Sequence, residues 1–370
     1  MAGIYVHVPY CKVKCHYCDF HFSTNLNSDK QMLAAICGEI ELRSNYLGNQ
    51  LVSTIYFGGG TPSVVGASYL NRIIQEIRNH FHVSNDCEIT VECNPDDLDR
   101  QSLQDLEDIG VNRLSIGIQS FDDEVLQSMN RAHSAKEAKQ SISLAKEIGF
   151  ENITIDLIYG IPGKDLDYWK RQLDTFLMYD VPHLSAYCLT IEPNTVFNHL
   201  NKKGELKLPS DETSLAQFKL MVEVLKENGY QHYEISNFAK DGFISRHNSA
   251  YWLGQHYLGI GPSAHSYNGK ERGWNISNNT RYIKESTTYE SEELTDKDKV
   301  NDHILTRLRT HWGIDLNEIQ LLAQHLSLVE FDRYLNWHIE AGNLVRDDHI
   351  VKLTSSGKFI ADKIASDLFV

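Results

Sequence analysis

Two rhythms of apolar and polar residues alternate along the first 229 positions. Short runs rich in β-branched residues read as buried strands: Ile4-Tyr5-Val6-His7-Val8, Val52–Phe57, Glu88–Glu92, Arg113–Ile118, Asn152–Leu157 and His183–Cys188. Between them, apolar residues recur at helical spacing, as in Met32, Ala35, Ile36 and Ile40, or Leu70, Ile73, Ile74 and Ile77. Helices are likewise expected near Leu103–Ile109, up to Ile148, near Tyr168–Tyr179 and over Asp211–Asn228. Strands alternating with helices of this length predict a parallel sheet with right-handed crossovers. Eight units would close a barrel. Six, the last followed by an irregular loop at 192–210, predict an α/β fold, a partial (β/α)6 TIM-like barrel.

The rhythm breaks after residue 229. Residues 230–297 are rich in Tyr, Trp, His, Asn and Gly, with weak helical periodicity, and read as a connecting segment. Residues 298–370 read as helices, a small hairpin at Leu344–Thr354 and a last helix from Ser356, the outline of a winged helix. The expected domains are therefore 1–229, 230–297 and 298–370.

Charge limits what these domains do. Residues 301–370 hold ten acidic and seven basic side chains, so the winged-helix outline does not imply a phosphate-tracking face. The formal charge of −15 argues against nucleic acid for the whole chain. No apolar run reaches the ~18 residues of a membrane span, which leaves only peripheral membrane contact open. The N-terminus lacks a signal-peptide pattern, and seven cysteines without regular pairing fit a reducing compartment. The expected location is the cytoplasm.

Ligands of parallel sheets bind at the C-terminal ends of the strands. Those ends carry a cysteine loop, Gly58-Gly59-Gly60-Thr61-Pro62, Glu92, Gln119, Asp156 and Tyr187. Singly, each has a plainer reading: Glu92 or Asp156 as a helix cap, the glycines as a tight turn. Their joint placement argues for a ligand site. In the cysteine loop Cys11, Cys15 and Cys18 stand at C-x3-C-x2-C spacing, which suits an iron–sulfur cluster with one iron left open. Zinc is the alternative and would need a fourth ligand, for which His16 and His21 are candidates. A disulfide fits an odd, clustered set poorly. Cys37, Cys87, Cys93 and Cys188 follow no ligand spacing and read as small hydrophobes.

The cysteine spacing, with Tyr17 before the third cysteine, resembles the cluster loop of the radical S-adenosylmethionine (SAM) superfamily. Tyr5–Cys11, the GGGTP loop, Glu92-Cys93-Asn94-Pro95, Arg113–Phe121 and Ile155–Gly160 resemble, more narrowly, the oxygen-independent coproporphyrinogen III dehydrogenase family. The resemblance implies that Cys11, Cys15 and Cys18 hold a [4Fe–4S] cluster fed by an electron donor. It also implies that Tyr5, Tyr17, Gly59, Gly60, Thr61, Glu92, Gln119, Arg131 and Asp156 contact SAM. Their chemistry agrees, since Glu92 can accept from an ammonium, Arg131 can pair a carboxylate and Asp156 suits a ribose diol.

Two departures separate the chain from the dehydrogenase. Only ten residues precede Cys11, and Phe20 stands where that enzyme has a fourth cysteine. Together with His247-Asn248-x-x-Tyr251-Trp252, these departures resemble the HemW-type heme chaperones, which implies heme and a heme-acceptor protein as partners. Tyr251 and Trp252 can stack on a porphyrin and His247 can ligate its iron; the plainer reading is a histidine hydrogen-bonded inside an aromatic interface. His265, in its Gly-Pro-Ser-Ala-His context, reads as part of a backbone-shaping loop. Three functions follow in order: heme chaperone, coproporphyrinogen dehydrogenase, and a SAM-dependent enzyme acting on an unrelated substrate.

Overall fold

The computed structural model describes residues 1–285 and 289–370. Its first half realises the strand–helix alternation. The order is β1 (Ala2–Val8), α1 (Asp29–Leu42), β2 (Val52–Gly59), α2 (Ala67–His80), β3 (Val83–Cys93), α3 (Arg100–Asp108) and β4 (Arg113–Gln119). It continues with α4 (Asp123–Ser128), α5 (Ala135–Ile148), β5 (Asn152–Tyr159), α6 (Leu166–Met178), β6 (His183–Cys188), α7 (Val196–Lys202) and α8 (Asp211–Glu227). β1 to β6 pair in sequence, all parallel. Local signals start the helices where expected: Asp99 with Ser102, and Ser134 with Glu137, close capping boxes. The stretch read as an irregular loop contains α7, a helix too short for periodicity to reveal, which Thr195 caps.

The segment after residue 229 is where the structure adds most. It holds β7 (Gln231–Glu234), β8 (Asn237–Ala239), α9 (Arg246–Trp252), β9 (His256–Ile260), β10 (His265–Tyr267), β11 (Glu271–Asn275), α10 (Asn279–Lys284) and β12 (Tyr289–Glu293). These strands extend the barrel sheet on both edges, in the order β12-β11-β10-β9-β1-β2-β3-β4-β5-β6-β8-β7. β9 runs parallel to β1, so the parallel set has one strand more than the sequence pattern shows. Strands of three to five residues are too short to display a two-residue period. His265, expected in a backbone-shaping loop, instead opens β10 and pairs with Trp274; the close approach lies just before it, where Gly261 takes φ +99 and a Cβ would lie 2.5 Å from the His7 carbonyl.

One buried carboxylate ties the extension to the barrel. Glu39 on α1 accepts from the Gly261 N–H at 2.9 Å, Asn275 Nδ2 at 2.8 Å, the Tyr282 hydroxyl at 2.6 Å and Arg43 Nη1 at 3.0 Å. All its lone pairs are thus used away from water, as a buried charge requires.

The last part has its own core around Val300, Ile304, Phe331, Leu335 and Ile364. Its elements are α11 (Asp296–Leu308), β13 (Ile314–Asp315), α12 (Leu316–Leu322), α13 (Val329–Glu340), β14 (Leu344–Asp347), β15 (Ile350–Leu353) and α14 (Ala361–Asp367). The order helix, strand, two helices and hairpin is that of a winged helix, with the small sheet ordered β13-β15-β14. Backbone bonds fasten it to the β7–β8 hairpin, from Ile235 N to Arg309 O at 3.1 Å and from His311 N to Tyr233 O at 2.9 Å.

Glu39→Ala leaves Arg43 without its carboxylate and the Gly261 N–H and Tyr282 hydroxyl without this acceptor, while Arg43 Nη1 and Asn275 Nδ2 keep the Gly259 and Gly261 carbonyls. We expect it to lower stability by about 3–5 kcal/mol, read as a lower midpoint in chemical denaturation of the full chain. A midpoint within error of the parent would show that the anchor is dispensable.

Candidate functional site

The parallel register delivers the strand C-termini to one mouth, around a cavity of about 560 Å³. Cys11, Cys15, Tyr17, Cys18, Gly59, Gly60, Thr61, Glu92, Gln119, Arg131 and Asp156 all line it. The structure therefore brings together every residue expected at the cluster and SAM sites except Tyr5. That side chain points into the barrel below the mouth, its hydroxyl 3.2 Å from His7 Nδ1 and its ring stacked on Tyr56.

Backbone pairing fixes the cysteine loop. Past the end of β2 the Gly60 N–H donates to Val8 O at 2.9 Å and the Thr61 N–H to Tyr10 O at 2.7 Å. A Cβ at Gly60 would lie 2.6 Å from that Tyr10 carbonyl, so only glycine permits the approach. The Thr61 hydroxyl then donates to Cys11 Sγ at 3.3 Å. On the other side, Arg131 Nη1 donates to Cys15 Sγ at 3.3 Å and to the Tyr17 hydroxyl at 3.4 Å. Its Nη2 holds Asn94 Oδ1 at 2.6 Å and Gly117 O at 2.7 Å. Arg131 is thus a clamp between the cysteine loop and the ends of β3 and β4, and its buried Nε has no partner.

The donor set favours a cluster over a single ion. Among the described residues no three His, Cys, Asp or Glu side chains stand close enough to share one metal ion, while the three thiols face one cavity. Three thiols on one cavity, with no fourth protein ligand among the described residues, suit a cluster with one open iron better than a closed tetrahedral zinc site. Both histidines weighed as a fourth zinc ligand are engaged elsewhere: His16 Nδ1 donates to Ser128 O at 2.8 Å and His21 Nε2 lies 2.7 Å from Asn279 Oδ1. Burial pushes the Cys11 and Cys18 thiols up to about 12 and about 11. They stay protonated until a metal competes for the sulfur. Cys87 and Cys93 are buried, whereas Cys37 and Cys188 are only partly so.

Two buried carboxyls, Glu92 and Asp156, share the cavity lining. Burial raises Glu92 to about 7, with Asp156 adding to the rise, against hydrogen bonds from the Tyr56 hydroxyl and the Gly59 N–H. Burial also raises Asp156 to about 6, opposed by hydrogen bonds from Ser185 and Ser115 and by the Arg113 charge. Such a pair is poised to ionise when a cation arrives. Gln119 enters with φ +64, a left-handed conformation that costs a non-glycine residue energy and is common where a ligand is held. Sequence reasoning missed Tyr56, which donates to Glu92 at 2.8 Å, and Ser115, within 3.4 Å of Asp156. Both sit on neighbouring strands, Ser115 in register with Glu92 and Tyr56 in register with Thr90, so cross-strand register, which the sequence does not display, is what selects them. Asn94 lay inside a recognised motif without an assigned role.

The residues expected at heme lie elsewhere. His247 is 2% exposed, packed on Tyr56 with ring centroids 4.9 Å apart. Its Nδ1 lies 2.7 Å from Thr54 Oγ1 and its Nε2 2.8 Å from the Tyr251 hydroxyl. Both nitrogens are occupied, so direct iron ligation by His247 gives way to the plainer reading of a satisfied interior histidine. Tyr251 and Trp252 instead line a second cavity of about 950 Å³, between the barrel extension and α11–α12.

Comparison with known proteins agrees with this geometry. The description "Radical SAM superfamily" matches residues 5–175. The chain is 34% identical over 372 residues to the heme chaperone HemW of Bacillus subtilis, covering 98% of each protein. It is 32% identical to that of Mycobacterium tuberculosis, over 99% of this chain and 94% of the relative. Among solved structures, coproporphyrinogen III oxidase (HemN) from Escherichia coli, described as a radical SAM enzyme, superposes with a TM-score of 0.85. The match covers 100% of this chain and 90% of that one at 24% identity, a likeness of fold.

A carboxyl whose folded pKa lies above its unfolded value favours the folded state at low pH, and that contribution fades as pH rises through the folded value. Glu92, raised to about 7, therefore strains the ligand-free protein at pH 8. Glu92→Gln should stabilise that form at pH 8 by roughly 1–3 kcal/mol, after allowing for a weakened hydrogen bond. The gain should vanish near pH 5. Equal effects at both pH values in thermal unfolding would refute the assignment.

Proposed function

The chain belongs to the HemW family of the radical SAM superfamily, and from that premise we propose that it binds heme and passes it to an acceptor protein. The observation that carries this reading is the likeness, over 98% of the chain, to a protein named a heme chaperone. The geometry supports it with two separate cavities, one built for metal and cation chemistry and one walled by aromatic rings.

At the mouth, Cys11, Cys15 and Cys18 would hold a [4Fe–4S] cluster, with SAM beside it. When bound, the pair supplies one-electron chemistry at a sulfonium, driven by an external electron donor. Thr61 and Arg131 donate to Cys11 Sγ and Cys15 Sγ and so stabilise sulfur as thiolate. Glu92 is placed to take an ammonium, Asp156 to accept from ribose hydroxyls, and Arg131 to offer its free Nε to a carboxylate. The coproporphyrinogen reading is not favoured. Its support is a likeness of fold, and Phe20, 70% exposed, supplies no sulfur where the dehydrogenase has its fourth cysteine.

All seven cysteines are free, which supports a reducing compartment such as the cytoplasm. No helix among the described residues is long and apolar enough to cross a membrane.

Anaerobic reconstitution should load about four irons per chain, and replacing Cys11, Cys15 and Cys18 together by alanine should abolish the loading. Tightly held zinc with no iron would contradict the cluster. For function, the purified protein should give a saturable Soret shift with hemin and deliver that heme to an apo-heme protein such as apomyoglobin. Incubated with SAM, reductant and coproporphyrinogen III, it should form no protoporphyrinogen. Rapid formation of that product, or no heme binding, would replace this reading with the enzymatic one.

A further inference from the structure

The heme-binding proposal leaves open where heme sits and what holds its iron. His247 is closed to it, yet the second cavity has features that the mouth lacks. Its volume of about 950 Å³ lies at the upper end of the range for small-molecule sites. Tyr251, Trp252 and Tyr257 form one wall, and the buried Trp252 Nε1 has no hydrogen-bond partner. The facing wall comes from α11 and α12 of the winged-helix part.

On that facing wall stands His303. Its side chain is 11% exposed, and its buried Nε2 makes no hydrogen bond. The nearest acid, Glu318, stands 3.5 Å away and is half exposed, free to turn into solvent. An unpaired buried imidazole nitrogen costs energy in the empty protein unless something takes it up. Four cations line the cavity, Arg272, Lys299, Arg307 and Arg309, together with Glu234, Asp302 and Glu318. Arg272 is already paired with Asp302 and Glu292. Arg307 has its nearest carboxylate 3.8 Å away, at Glu318, and Arg309 lies over the Trp252 ring at 5.7 Å with its Nε unpaired, while its Nη1 pairs with the exposed Asp362. A planar apolar ring, a metal seeking an imidazole, and two carboxylates seeking guanidinium groups describe heme.

Resting on the heme-chaperone reading, we propose that heme lies in this cavity between α9 and α11, with His303 as its iron ligand and Arg307 and Arg309 at its propionates. The ring then rests on Tyr251 and Trp252, which gives those two residues a role that His247 does not share. Tyr187, on β6, lines both cavities. The cargo therefore sits one side chain away from the cluster and SAM site.

Hemin titration into the cluster-loaded, full-length protein tests this, read by the Soret band and by low-temperature EPR. His303→Ala should weaken binding by about tenfold or more and lose the imidazole-ligated spectrum, and free imidazole should restore that spectrum. His349→Ala, on the surface of the winged-helix part, should change neither. Arg307→Glu should weaken binding while keeping the imidazole-ligated spectrum, which guards against misreading a folding defect in the histidine variant. If the parent binds heme and His303→Ala binds it with the parent's affinity and spectrum, this site is wrong and the chaperone reading stands. If the parent binds no heme, both fall.

Discussion

The β1–β2 ladder does not stop where the strands stop. Two further backbone bonds, Gly60 to Val8 and Thr61 to Tyr10, carry the pairing into the loops at the mouth. They tie the first residue before Cys11 to the glycine loop, and a side chain at Gly60 would prevent them. The thiols, the donors to their sulfurs and the floor of the cavity all take their positions from this junction. Arg131 repeats the logic on the far side, joining the cysteine loop to β3 and β4 through four hydrogen bonds. A loop held at both ends is preorganised for a metal group, which lowers the ordering cost when that group arrives.

An open barrel presents the opposite constraint. Its two edges expose unpaired backbone, which must be covered or paired. Here the chain pairs both, with β9 beside β1 and the β7–β8 hairpin beside β6. Because the winged-helix part hangs on that hairpin, closing the edges also brings α11 opposite α9. The second cavity is a product of edge protection. Its aromatic wall and Arg272 come from the extension, and His303, Arg307 and Arg309 come from a part of the chain some fifty residues beyond Tyr251.

Electrostatics divide the two cavities in the same sense as their chemistry. The mouth buries Glu92 and Asp156 with little positive charge beyond Arg131 and Arg113, so it attracts a cation. The second cavity mixes charges, with Arg272 paired to Asp302 and Glu292, Glu234 and Glu318 on its lining, and Arg307 and Arg309 on the α11 side, in a protein of net charge −15. The long-range field of such a protein repels an anion, so an anionic ligand is held there only by close contacts, at Arg307 and Arg309.

The sequence by itself determined the six strand–helix units, the cysteine loop and the set of residues at the mouth. The physical reason is that period, helix capping and ligand spacing are local, and a parallel sheet gathers all its strand C-termini on one side whatever its details. The winged-helix order was equally legible from its helices and hairpin. Tertiary structure alone decided three things. It set Tyr5 below the mouth, because whether an inward-facing strand residue reaches a cavity depends on what packs above it. It put the described residues of the 230–297 segment into short strands on the sheet's edges, with α9 and α10 between them, because strands of three to five residues are specified by the edges they pair with and carry too little pattern of their own. It closed His247 off between Thr54 and Tyr251 and left His303 unpaired, because a histidine becomes a ligand or a core residue according to which atoms stand around its two nitrogens, and those atoms come from segments far apart in the chain.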